Sequence, residues 1–358
     1  MSISIPQTQK ALAIPAPLAP YALITRPVPT PGAGDMLVKV QSIGLNPAEN
    51  VVRTEAGSWV LQEYPALTGT DGAGTVVKLG EGVIGWEVGD RVLFQGWLSP
   101  DRSTYQEYTL VYADRMAKVP PAISLSSASS VPLALATAAF GLSLPVNREP
   151  RGLGGAGLVP FWADGAENAH KDKPIVVLGG SSAVGQFAIQ IASYLGFSPI
   201  VTTASAHNAD YLKTIGATHF VDRKADLAAA LTQIAPALPI DVVFDAVHTP
   251  ITQAEVDLFA PGGVVTTVWP LPEGEGALDL SRGRVAAYFY GSVHLHQEMG
   301  VAMYKSLTEF LERGVIKPTR VEKLSGGLGG IEEGLGRLDR KEVSGYKLVV
   351  SLPGTPDA

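Results

Sequence analysis

The run KPIVVLGGSSAVGQFAIQIASYL, Lys173 to Leu195, constrains this chain more than any other stretch. Four apolar residues, Ile175 to Leu178, precede a glycine- and serine-rich turn. Beyond the turn, Phe187, Ile191 and Leu195 recur at helical spacing with small residues between them. Strand, tight turn and helix in that order are the opening unit of a dinucleotide-binding sheet. The turn residues Gly180, Ser181, Ser182, Ala183 and Val184 are the candidates to face a cofactor. Gly180 lets the backbone turn, Ser182 and Ala183 are small enough for a pyrophosphate to approach, and Gly185 allows close helix–strand packing. Free N–H groups at the helix start would then point at the phosphates. A GxGxxG pattern would have glycine where this chain has Ser182, so a βα turn that binds nothing stays open as a reading.

The continuation favours the nucleotide reading. Ile200–Thr203, Phe220–Val221, Val242–Phe244, Val264–Val268 and Val285–Phe289 read as further strands, and Asn208–Ile215 reads as a helix. Alternation at this spacing predicts an α/β fold with a parallel, doubly covered sheet. Residues 1–130 have a different texture. Met36–Val40, Gly74–Val77, Arg91–Phe94 and Gln106–Val111 are short strand-like pieces between Gly, Pro and Asp turns, as in a barrel-like β domain. Gly69–Gly74 and Gly89–Asp90 read as turn chemistry. Helices are expected from near Ser126, from Pro132 to Leu142, from Glu298 to Arg313 and from Ile331 to Leu338. Residues 145–172 carry no obvious element, which reads as a functional lid or a mobile excursion. The final strand, Tyr346–Val350, is expected back in the first domain, so that the nucleotide domain is inserted.

With 358 residues the chain is long for one core and comfortable for two. A formal charge of −7 and the lack of a basic, aromatic stripe argue against nucleic-acid binding. The absence of cysteine excludes disulfides and thiolate metal sites. The opening residues lack the pattern of a signal peptide, and Val131–Val146 reads as a buried helix rather than a membrane span. A cytoplasmic protein is the expectation.

Several pieces in order resemble the medium-chain dehydrogenase/reductase superfamily: Asn46–Pro47, GTDGAG at 69–74, VGDRV at 88–92, the GGSSAVG turn, Gly262–Gly263 and the closing VSGYKLVV. Within it the chain is similar to the zinc-free quinone oxidoreductase-like branch, and more narrowly to fungal enoyl reductases that act in trans with polyketide synthases. The resemblance implies a Rossmann domain (131–310) inserted into a β-rich GroES-like catalytic domain (1–130 and 311–358), with the active site in the cleft between them. It implies NADPH, hydride transfer to the β-carbon of an α,β-unsaturated thioester and protonation of the α-carbon. Zinc-dependent relatives place a histidine–glutamate pair where this chain has Thr70–Asp71, and a cysteine where it has Gly44 or Leu45, so no metal is expected. Asp71 then reads first as a turn or salt-bridging residue.

No acid stands at the end of the second strand to hold ribose hydroxyls. Ser205, His207, Asn208 and Arg223 are the candidates for a 2′-phosphate, which favours NADPH. Val247, Val268 and Phe289, at the carboxyl ends of their strands, are the candidates to surround the nicotinamide. Relatives of the polyketide group carry Asn-Pro-x-Asp-x-Lys where this chain reads Asn46–Pro47–Ala48–Glu49–Asn50–Val51. With valine in place of lysine, the candidates for catalysis are Asn46, Tyr64, His248 and Tyr290; Arg53 is close in sequence and carries the lost charge, but on a helix it points in a different direction from residue 51. Three functions remain open: a trans-acting enoyl reductase with a polyketide synthase partner, a reductase of free alkenes or quinones, and a cyclase or isomerase without net reduction. A monomer is expected.

Overall fold

The computed structural model describes residues 4–55, 57, 60–61, 63–148, 153–236, 239–247, 250–272 and 278–353. The chain divides into two compact units. The first comprises Met1–Leu133, His296–Glu312 and Pro318–Ala358, and the second Ala134–Leu295 and Arg313–Lys317.

In chain order, the first unit opens with β1 (Thr8–Ile14), β2 (Ala22–Pro27), β3 (Asp35–Gly44), helix α1 (Ala48–Val51), β4 (Ala66–Leu67) and β5 (Asp71–Leu79). β6 (Arg91–Gln95), β7 (Tyr108–Tyr112), β8 (Met116–Lys118) and α2 (Leu125–Ala128) follow, and α3 (Pro132–Ser143) leads into the second unit. There β9 (Ile175–Leu178), α4 (Ala183–Tyr194), β10 (Ile200–Ala204), α5 (Ala209–Thr214), β11 (His219–Asp222) and α6 (Leu227–Ile234) alternate. β12 (Val242–Asp245), α7 (Gln253–Val256), β13 (Val264–Thr267) and β14 (Val285–Tyr288) complete it. The chain returns to the first unit with α8 (Gln297–Glu312), β15 (Val321–Leu324), α9 (Ile331–Asp339) and β16 (Lys347–Ser351).

The second unit is built on a parallel sheet of order β11-β10-β9-β12-β13-β14. Its strands are short, four or five residues each, and β9, β12 and β13 are buried throughout, as strands covered on both faces must be. The order reverses between β9 and β12, which opens a crevice beyond their carboxyl ends. The first unit carries a sheet of order β15-β16-β3-β5-β6-β8, with β7 also on β3, and a smaller sheet β2-β1-β4. β16 pairs antiparallel with β3, so the last strand closes a sheet begun more than 300 residues earlier. Apolar side chains from β1, β3, β5, β6, α9 and β16 share one core there.

Two expectations need correction. Residues 69–74 are not a turn throughout: only Gly69 has a left-handed φ (+99°), and the strand starts at Asp71. Gly72 and Gly74 are glycines because of packing, since a Cβ would lie 2.6 Å from the Phe94 ring and 2.0 Å from the Lys39 carbonyl oxygen respectively. Nor are residues 153–172 an excursion. Ala156 N–H donates to Gly141 O (2.9 Å), Leu158 N–H to Leu142 O (2.9 Å) and His170 N–H to Leu195 O (2.8 Å). Phe161 and Ala166 are buried, and the His170 ring stacks on Phe197 at 5.0 Å. The segment lacks regular structure, yet these backbone bonds and the buried Phe161 and Ala166 anchor it on the second unit. Residues 149–152 of the same loop lie outside the described residues.

Residues 125–143 are long and apolar enough to match a membrane helix in composition, but 83% of their most apolar 18 residues are buried inside the protein. They are core, as Val131–Val146 reads.

Candidate functional site

In the second unit the turn after β9 has the features of a phosphate cradle. Gly179 is left-handed (φ +70°). A Cβ on Gly180 would lie 2.0 Å from Thr202 Oγ1, and one on Gly185 would lie 2.4 Å from Gly179 O. Both glycines are therefore needed for the turn to lie against β10 and for α4 to start where it does. Ser182, where a glycine would be usual, caps α4: its hydroxyl accepts the Gly185 N–H at 3.0 Å. Helix geometry leaves the Ala183 and Val184 N–H groups without an intrahelical acceptor, and both residues are half-buried, as is Ser181. Two convergent donors at the head of a 12-residue helix suit a pyrophosphate.

The second strand of this sheet ends at Ala204, and Ala204 pairs with Asp222 of β11. Arg223 N–H donates to Ala204 O at 2.9 Å, which brings the exposed Arg223 beside Ser205. Ser205 is half-buried and its hydroxyl makes no capping bond to the short helical turn that follows. His207 is exposed, whereas Asn208 is buried and its Nδ2 lies 3.1 Å from His207 Nε2. The helix expected from Asn208 begins with a 3-10 turn over Ala206–Asn208, and α5 proper starts one residue later.

At the carboxyl ends of the next strands, Val247 and Val268 are half-buried, and Val268 N–H donates to Asp245 O at 3.3 Å. Phe289 follows the end of β14 and is 2% exposed, its ring 6.1 Å from that of Phe244. Its side chain is core, which leaves its backbone as the part able to meet a ligand. Tyr290 is exposed and meets Tyr288 edge to face at 5.1 Å. His248 lies outside the described residues.

Asn46 heads a second constellation, in the first unit. Its backbone N–H donates to Glu49 Oε2 (2.7 Å), and its side-chain amide donates to Asp71 Oδ2 (2.9 Å) and Thr70 Oγ1 (3.2 Å). The Thr70 hydroxyl donates to Glu49 Oε1 at 2.6 Å. Lys347 Nζ donates to Asn46 Oδ1 at 2.8 Å and to Asp71 Oδ2, and Asp71 Oδ1 accepts the Leu133 N–H at 2.6 Å. Burial pushes the Glu49 carboxyl up to about 7; the Thr70 hydroxyl opposes that rise and the Asp71 charge adds to it. Tyr64 is half-buried against the apolar core of the same unit. Arg53 does not supply the missing lysine's charge: it bonds Glu332 (3.1 Å) and Asn50 (3.3 Å) and lies over the Tyr21 ring.

This donor set does not fit zinc. The Asp71 carboxylate is already bonded to an ammonium, an amide and a backbone N–H, and the Thr70 hydroxyl to Glu49. At Gly44 a Cβ would lie 2.3 Å from Ser129 O, so a cysteine ligand has no room there. Among the described residues no group of three or more His, Cys, Asp or Glu could hold a metal.

Sequence reasoning missed Lys347 and Asp245. Each has a signal in retrospect, a charge set in an apolar strand (KLVV and VVFD). Such a charge must find a partner once the strand is buried.

Residues 32–121 match the family model described as alcohol dehydrogenase GroES-like domain, and residues 183–303 match that described as zinc-binding dehydrogenase. The trans-enoyl reductase tndF of Aspergillus flavipes is 30% identical over 366 residues, with 96% of this chain and 99% of that protein covered. The dehydrogenase orsE of Emericella nidulans is 32% identical, with 91% and 94% covered. Among solved structures, an alcohol dehydrogenase superfamily protein from Novosphingobium aromaticivorans superposes with a TM-score of 0.78 at 23% identity, over 96% of this chain and 99% of that one.

Proposed function

Since the chain belongs to the medium-chain dehydrogenase/reductase superfamily, an oxidoreductase family, we propose that it is a zinc-independent, NADPH-dependent enoyl reductase acting in trans on a polyketide synthase. Its substrate on this reading is an α,β-unsaturated thioester carried by the synthase. The observation that carries the proposal is the likeness, at about 30% identity over nearly the whole chain, to fungal proteins named trans-enoyl reductases.

The second unit is then the cofactor-binding part and the first the catalytic part. Gly180 to Val184 hold the pyrophosphate through the α4 N–H groups, with the Ser182 cap keeping those groups in line. Ser205, His207, Asn208 and Arg223 take the 2′-phosphate; the lack of an acid at the end of β10 and the exposed Arg223 beside it support NADPH over NADH. Val247, Val268 and the Phe289 backbone border the nicotinamide. NADPH, when bound, supplies the hydride that reaches the β-carbon. The chain's part is to hold substrate and cofactor in register, exclude water and leave a proton source for the α-carbon. Asn46, Tyr64, His248 and Tyr290 are the groups proposed for that proton and for orienting the thioester. Zinc plays no part, because Lys347 already supplies the positive charge on Asp71.

Val51 in place of the relatives' lysine favours keeping a second reading, a cyclase or isomerase that retains the cofactor without net reduction. One experiment separates the two. Purified protein is mixed with NADPH and an enoyl thioester, free or on a carrier domain, and NADPH absorbance and product mass are followed. Oxidation of NADPH with a two-hydrogen mass gain is expected, faster with the carrier-bound thioester. Cofactor binding with a rearranged product of unchanged mass would give the site to the second reading.

A further inference from the structure

We propose that Asp245 is a positioning residue of the cofactor site, its carboxylate latching together the two chain segments that leave β12 and β13, and that loss of its charge weakens cofactor binding. The inference rests on the proposed reading of the second unit as the cofactor-binding part.

Asp245 ends β12, at the point where the strand order reverses. It is 1% exposed. Oδ1 accepts the Val247 N–H at 2.8 Å and Oδ2 accepts the Thr267 hydroxyl at 3.1 Å. Thr267 Oγ1 in turn accepts the Trp269 N–H at 3.2 Å. One carboxylate therefore fixes the course of the backbone at 246–247 and, through Thr267, at 268–269. The first of these segments also walls the phosphate turn: Ala246 N–H donates to Leu178 O at 3.0 Å, and a Cβ on Gly179 would lie 2.9 Å from Val247 Cγ2.

The direction of each bond makes the latch specific to the charged form. A backbone N–H can only donate. The Thr267 oxygen accepts the Trp269 N–H, and its own hydrogen is directed at Asp245. Both carboxylate oxygens accept in this arrangement, and a proton on Oδ2 would oblige the Thr267 hydrogen to turn away, which breaks the bond as it stands. Burial opposes the charge and pushes this carboxyl up to about 7. Glu255 of α7 is the charged group acting on it, in the same direction, while its own carboxylate caps the Thr252 turn. The flanking strands present Leu178 and Thr267, which carry no charge. His248 is the remaining ionisable neighbour in sequence.

The test is a fluorescence titration of the whole protein with NADPH and with NADH across pH 6 to 8, since NADH has no 2′-phosphate to titrate. For both cofactors Kd should rise by up to about tenfold from pH 8 to pH 6 as one carboxylate protonates. Asp245→Asn keeps an acceptor for Val247 but turns an NH2 towards Thr267. It should bind both cofactors weakly at every pH, like the wild type at pH 6. Thr267→Val should bind weakly with a reduced pH response, and Thr267→Ser should restore the wild-type curve, which covers the case in which Asp245→Asn fails to fold. His248→Ala should keep the pH response. Wild-type affinity and pH response in Asp245→Asn, or their retention in Thr267→Val, would overturn the proposal, as would loss of the response in His248→Ala alone. Failure of the wild type to bind either cofactor would instead overturn the reading on which it rests.

Discussion

Lys347 donates to the carboxylate of Asp71 across 276 residues of sequence, with 3% of the lysine side chain and none of the aspartate side chain exposed. The two residues stand on β16 and β5, which are not neighbours; both flank β3. They meet over Gly44, where a Cβ would lie 3.0 Å from Asp71 Cβ and 3.1 Å from Lys347 Cε. Asn46 closes the triangle by accepting from the lysine and donating to the aspartate. A charge pair this deep is tolerated because every oxygen and the ammonium have partners.

Lys347→Met should therefore destabilise the protein by about 3–5 kcal/mol, since it leaves the Asp71 charge buried and uncompensated. Adding Asp71→Asn should recover part of the loss, so the double variant is less destabilised than the sum of the single ones. Urea unfolding of the four proteins measures this. Strict additivity would mean that the pair is not coupled.

Glu49 makes stability depend on pH in a definite direction. Its carboxyl titrates at about 7 in the folded protein, against 4.5 for the ordinary group. Between those values the folded state binds a proton that the unfolded state has lost. Its contribution is fully present at acid pH and disappears as pH rises through about 7. The slope is roughly −1.4 kcal/mol per pH unit for one such group. Asp245, also pushed up to about 7, adds the same sign. Glu49→Gln should remove its share of the slope in urea unfolding at pH 5, 6 and 7, leaving that of Asp245.

Gly185→Ala should cost about 1–3 kcal/mol, because the new methyl meets the Gly179 carbonyl, which cannot move without shifting the turn. Ser182→Ala, which only removes the cap of α4, should cost about 1 kcal/mol. On the proposed function both weaken nicotinamide binding, Gly185→Ala more. Thermal melts and cofactor titration of the same samples check the order.

Ser205→Asp combined with Arg223→Ala should weaken NADPH binding far more than NADH binding. A carboxylate at the end of β10 repels the 2′-phosphate and holds ribose hydroxyls instead. Equal loss for the two cofactors would remove the phosphate assignment from these residues.

The second unit was legible because its strands are apolar and local: IVVL, IVTTA, VVFD and VVTT each lie within a residue or two of where periodicity puts them. The first unit was less so. β1 and β2 were not anticipated, since a buried Gln9 and an exposed Leu23 run against the apolar-in, polar-out pattern that marks a strand. Gly72 and Gly74 read as turn residues because composition does not separate a glycine that bends the chain from one that admits a neighbouring ring or carbonyl.

Apolar period, cap and glycine spacing act over a few residues, so the chain alone determined the strands of the second unit, the helix-capped turn after Leu178 and the lack of a thiolate metal site. Which charges survive burial is a matter of partners drawn from distant sequence. Only the folded chain decided that Asp71 is held by Lys347 and Asn46, that Glu49 is pressed to a neutral-range pKa beneath Thr70, and that Asp245 ties together two strand ends. Desolvation and hydrogen-bond direction depend on what surrounds a group in space, and no local pattern encodes that.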